Sequence, residues 1–193
     1  MTADAPVPDL VRALRCTPTG RRLLARHSPS FFATYYCGMQ FVEHQRRWLE
    51  RLHGLAPGGR LLLLAPRAHG KTETIVSLVT QLVAENRDVR ILLVGRTADA
   101  AKKRLRRIKS HLESNQRLIA DYGAFRPQRM PSQIIGHTET DNEGRKVQVG
   151  YWTERYIYVQ RNLSRTDPTI EAVGIGGSIT GGRFDWVIPD DPI

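Results

Sequence analysis

Two short stretches hold residue types that handle phosphate and a divalent cation. The first is Ala65-Pro66-Arg67-Ala68-His69-Gly70-Lys71-Thr72, which follows Arg60 and the leucines Leu61 to Leu64. Glycine, lysine and threonine in this order at a helix start supply three things to a nucleotide. Backbone N–H groups face a phosphate, an ammonium reaches the β/γ oxygens, and a hydroxyl is offered to Mg²⁺. The second stretch is Asp190-Asp191, which closes the apolar run Trp186-Val187-Ile188. One carboxylate there suits a hydrated Mg²⁺ and the next suits polarising an attacking water. The pair of stretches predicts ATP hydrolysis, with ATP and Mg²⁺ as cofactors. Each also has a plainer reading: Gly-Lys-Thr as turn chemistry at a helix start, and Asp-Asp-Pro as a loop turn.

Residues this far apart in sequence need elements to bring them together. Leu61 to Leu64 read as a strand buried on both faces, as in a parallel sheet under helices. The loop lacks a first glycine, because Ala65 stands there, so it must avoid positive φ at that residue. Lys71 and Thr72 open a helix with Ile75, Leu78, Val79, Leu82 and Val83 on one face. Val89 to Val94 is the next strand. Thr97 or Asp99 then caps a helix whose apolar face is Ala101, Leu105, Ile108 and Leu112. Its other face carries Lys102, Lys103, Arg104, Arg106, Arg107 and Lys109, either a solvated surface or a phosphate-backbone contact. Upstream, Phe41, Gln45, Trp48, Leu49 and Leu52 define a helical face over Phe41 to Leu52. Gln45 is either an adenine-reading amide, able to donate and accept, or a polar residue on a helix flank.

From Arg117 to Asn142 the pattern is irregular. Val147–Val149 and Tyr156–Val159 are expected to pair antiparallel beside the main sheet, and Thr169–Val173 to add a strand. A loop with five glycines, from Gly174 to Asp185, precedes the acidic strand. The fold expected is α/β: a mainly parallel sheet flanked by helices on both faces. Arg60–Leu64, Val89–Val94 and Trp186–Ile188 share one direction, and Asp190 lies about 3–6 Å from Thr72 around a shared cation. Residues 1–40 form a helical lead-in and residues 41–193 the ATPase domain.

The 193 residues suit one domain, and 29 Lys and Arg against 19 Asp and Glu give a net charge of +10. Such a field favours polyanions, double-stranded DNA first among them. No segment reaches the ~20 apolar residues of a membrane span, and the start has no secretion pattern, so a cytoplasmic location is expected. Cys16 and Cys37 have no metal-ligand spacing.

Over residues 41–193 the chain resembles the ATPase domain of a tailed-phage terminase large subunit, a DNA-packaging motor. The resemblance rests on His44-Gln45, the loop APRAHGKT, the run ILLVGRT with its basic helix, and the closing run IEAVGIGGSITGGRFDWVIPDDPI. It implies a P-loop NTPase fold that translocates double-stranded DNA into procapsids. Gln45, Ala65, Arg67, Gly70, Lys71 and Thr72 would bind nucleotide, with Arg67 at the γ-phosphate. Thr72 and Asp190 would hold Mg²⁺, and Asp191 stands where many such motors carry a base. A small subunit, a portal protein and a homo-oligomeric ring are the implied partners. The family continues into coupling segments and an RNase H-like nuclease, so this chain is expected to be C-terminally truncated and without nuclease activity. The alternatives are a helicase-like DNA-dependent ATPase and a catalytically silent prophage remnant.

Overall fold

The computed structural model describes residues 7–127, 137–140, 146–149, 152–161, 167–177 and 182–191. In chain order the helices before the first strand are α1 (Val7–Arg15), α2 (Pro18–His27), α3 (Pro29–Tyr35), α4 (Glu43–His53) and α5 (Lys71–Glu85). Then come β1 (Ile91–Gly95), α6 (Ala98–Ser114), α7 (Gln116–Tyr122), β2 (His137–Thr140) and β3 (Lys146–Val149). The last strands are β4 (Tyr156–Ile157), β5 (Ile170–Gly174) and β6 (Trp186–Asp190).

The fold is α/β around an open mixed sheet in the order β4-β5-β1-β6. β5 and β6 flank β1 and both run parallel to it, while β4 is antiparallel to β5. β1 is central because its residues are apolar throughout, and Ile91, Leu92 and Leu93 are all buried. A parallel return needs a crossover, and α6 opens it. Thr97 caps α6 by accepting from the Ala100 N–H at 3.2 Å. At the end of β5, a side chain at Gly174 would place its Cβ 2.5 Å from the Ala98 nitrogen, so glycine lets this helix start meet the strand ends.

The helix α5 is enclosed. Every residue from Thr74 to Gln81 is buried, because α3, α4, α6 and β6 all pack against it. Ala25, Phe32, Ala33 and Tyr36 of the N-terminal region belong to the same core cluster as Val79, Leu93 and Ile188. A polar lock reinforces that packing. Asp121 of α7 accepts two guanidinium bonds from Arg21 of α2, at 2.6 and 2.7 Å, and a third from the Tyr36 hydroxyl at 2.7 Å.

Several expectations are corrected. Leu61 to Leu64 form no strand; Leu62 and Leu64 are 80% and 82% exposed. Consequently β6 has β1 on one side and, among the described residues, no strand on the other. An apolar run favours burial, but a strand also needs a partner edge, and this segment has not paired with one. The helices α5 and α6 both touch the strands and each other. Alternation sends Ile91, Leu93, Ala172 and Ile188 into the core, while of the opposite phase Leu92 and Val173 are buried and Val187 at the edge is exposed. Val147–Val149 does not pair with Tyr156–Val159; β3 pairs with β2 in a separate two-stranded sheet. The stretch read as irregular contains α7, capped by Asn115, which accepts from the Leu118 N–H at 3.1 Å.

Candidate functional site

The loop before α5 is shaped by two left-handed residues. Gly70, the N-cap of α5, has φ +80°, and Ala68 has φ +63°. Ala65 is not among the residues with positive φ, which answers the missing first glycine. A Cβ at Gly70 would lie 2.2 Å from Gln45 Nε2, so a side chain there would have to displace the Gln45 amide. Gln45 fastens the loop to α4. Its Nε2 donates to the His69 carbonyl at 2.9 Å, and its Oε1 accepts from the Val42 N–H at 3.0 Å, capping its own helix. The first N–H groups of α5 lack intrahelical partners and face an anion favourably. Lys71 folds over the loop: Nζ donates to the carbonyls of Ala65 at 2.6 Å and Pro66 at 3.2 Å, and lies 3.6 Å from Asp191 Oδ1.

The acidic strand end reaches the same place. Thr72 Oγ1 donates to Asp190 Oδ2 at 3.1 Å, across 118 positions of sequence. Asp190 is 3% exposed, at the buried phase of β6, and its strand is anchored at the other end. There Asp185 Oδ2 accepts from the Arg90 N–H at 2.9 Å while Oδ1 accepts from the Arg90 guanidinium at 2.8 Å. Pro189, which cannot donate to a ladder, is tolerated because β6 is an edge strand of the described sheet. Asp191 turns out of the strand with φ +46°.

Two arginines of α6 complete the arrangement, and sequence reasoning had left them on a charged face. Arg104 Nε donates to Asp190 Oδ2, and Arg107 donates to Glu73 Oε2. Lys71, Thr72 and Glu73, the first three residues of α5, are thus each tied to β6, to the residue after it, or to α6. A signal existed. Arg104, Arg107 and His111 fall at i, i+3 and i+7, a stripe flanking the buried face of Ala101, Leu105, Ile108 and Leu112. Burial and the nearby Arg107 charge hold the His111 imidazole below its ordinary pKa. Lys109 instead donates to the carbonyls of Trp152 and Thr153.

Of the residues singled out by sequence, Gln45, Ala65, Gly70, Lys71, Thr72, Asp190 and Asp191 therefore lie together. Arg67 does not join them: it is exposed on the loop, and the contact recorded for it is its carbonyl, 2.9 Å from His69 Nδ1. Among the described residues no cluster of three or more His, Cys, Asp or Glu could hold a metal. Mg²⁺ does not need one, because it is commonly held by one or two protein oxygens with phosphates and water. The Thr72 hydroxyl and the Asp190 carboxylate are donors of that kind. Two open cavities, of about 620 and 740 Å³, lie elsewhere and contain no loop residue.

Comparison with known proteins finds no matching family model, no matching curated protein and no matching solved structure.

Proposed function

We propose that this chain is a Mg²⁺-dependent ATPase domain of the P-loop type, and that its role is that of a DNA-packaging motor similar to a terminase large subunit. The observation that carries the reading is the 3.1 Å contact between Thr72 Oγ1 and Asp190 Oδ2. Two motifs read independently from the sequence, far apart along the chain, meet at one point. They do so where a helix N-terminus faces the carboxyl end of a strand, the usual location of ligands in open α/β sheets.

In this reading Mg²⁺, held by Thr72 and Asp190, neutralises phosphate charge. The loop N–H groups and Lys71 bind and orient the phosphates, and Gln45 fixes the loop against α4. Asp191, next to Lys71, is the residue placed to orient water. The net charge of +10 supports duplex DNA as the polyanion moved, through salt-sensitive and sequence-neutral contacts. Binding without turnover is the second reading. It is favoured by Asp191, which is a methylene shorter than the usual glutamate and is ion-paired to Lys71.

The test is phosphate release by the purified chain, with and without duplex DNA, beside ATP affinity measured by calorimetry. Lys71→Ala removes a charged hydrogen-bond donor worth about 1.5–3 kcal/mol, so ATP affinity is expected to fall roughly 10- to 150-fold. Unchanged affinity in that variant, with the fold intact, rejects the loop assignment. ATP binding without phosphate release selects the second reading.

A further inference from the structure

Arg104 is placed unlike any other cation of α6. Its side chain is 13% exposed, its Nε is held by Asp190 Oδ2, and the same oxygen receives the Thr72 hydroxyl. A guanidinium has five N–H donors in a rigid fork. Only the Nε donor is used here, and no described residue accepts from Nη1 or Nη2. The Nη donors reach solvent at the edge of the site, and arginine forks match phosphate oxygens well.

The neighbouring cations are otherwise engaged. Arg107 is about 40% exposed and paired with Glu73 of α5. Lys71 is committed to the loop carbonyls and Asp191. Lys71 and Arg104 together only balance Asp190 and Asp191, so a nucleotide's phosphate charge gives the free fork an acceptor to meet. Arg67, the other basic residue of the loop region, is exposed.

Resting on the nucleotide reading above, we propose that Arg104 is a second phosphate-directed cation of this site. Asp190 orients it through Nε, and its two Nη atoms bond oxygen of the terminal phosphoryl group. The role belongs to the fork as well as to the charge, so lysine should not replace it.

The experiment compares ADP with ADP–beryllium fluoride, a mimic of the terminal phosphoryl group, by calorimetry with Mg²⁺ on the full chain. The wild type is set beside Arg104→Lys and Arg104→Gln, with thermal unfolding as a check on folding. The wild type should bind the beryllium fluoride complex about tenfold or more tighter than ADP. Both variants should lose most of that gain while ADP affinity changes little. If Arg104→Gln fails to fold, Arg104→Lys, which keeps a charge beside Asp190, decides alone. A gain that survives in either folded variant overturns the proposal and leaves the nucleotide reading standing. Equal losses for ADP and its complex also overturn it, because Arg104 then only positions Asp190. A wild-type chain that binds neither ligand removes both readings.

Discussion

Strain in the loop before α5 is concentrated at one residue that glycine would relieve. Ala68 is held at φ +63°, a conformation that costs an L-residue roughly 1–2 kcal/mol. Part of any relief is lost to the greater freedom of glycine in the unfolded chain, about 0.5–1 kcal/mol. Ala68→Gly is therefore expected to stabilise the chain by up to about 1 kcal/mol, a rise in Tm of roughly 2–4 °C. A calorimetric scan showing a fall in Tm would mean that the methyl group has contacts worth more than the strain. Gly70 is the opposite case, where positive φ favours glycine and any side chain would displace the Gln45 amide from the loop. Gln45 shows how a residue's partner can lie beyond what its sequence neighbourhood encodes. Its polar amide was legible, but its bond to His69 spans 24 positions, and no local pattern encodes that contact.

Among the elements, α7 bears most directly on how the N-terminal helices are held. Asp121 is 2% exposed and Arg21 16%, so the pair is largely buried. Burial pushes the Asp121 carboxyl up, but the bonds from Arg21 and Tyr36 outweigh it and hold the pKa below its ordinary value. A depressed carboxylate contributes stability that is complete above its unfolded pKa, near 4, and is lost as pH falls through the folded value. Asp121→Asn should cost about 3–5 kcal/mol near neutral pH, because it strands the Arg21 charge. The difference from wild type should shrink as pH falls below about 4. Urea unfolding across that range checks both halves, and a gap still undiminished near pH 2 would exclude the linkage. Elements specified by local signals were legible, as with β1, α5, α6 and β6. Those decided by distant pairing were not. Leu61 to Leu64 has strand composition yet pairs with no edge, although that of β6 is open, and β3 took β2 as its neighbour because register and pairing are non-local choices. Arg104 sits one residue from the buried Leu105, so a rotation of α6 decides whether it meets Asp190 or water.

At the scale of the whole molecule, a net charge of +10 coexists with apolar side chains left in water: Leu61, Leu62, Leu64, Ile175 and Val187. Beside them, the described sheet ends at β6 with one edge unpaired, and such an edge accepts another strand readily. Repulsion and attraction of this kind act over different distances. The Debye length is about 30 Å at 0.01 M ionic strength, about 8 Å at 0.15 M and about 3 Å at 1 M. Apolar contact, by comparison, acts only where surfaces meet. The chain should therefore behave as a charge-stabilised colloid. Its second virial coefficient should be positive in dilute buffer and turn negative as salt rises, before any loss of helix by circular dichroism. Replacing Leu62 and Leu64 with glutamate and lysine, which leaves the net charge unchanged, should keep the coefficient positive over the same range. Light scattering that shows the two proteins crossing zero at the same salt would assign the attraction to some other surface.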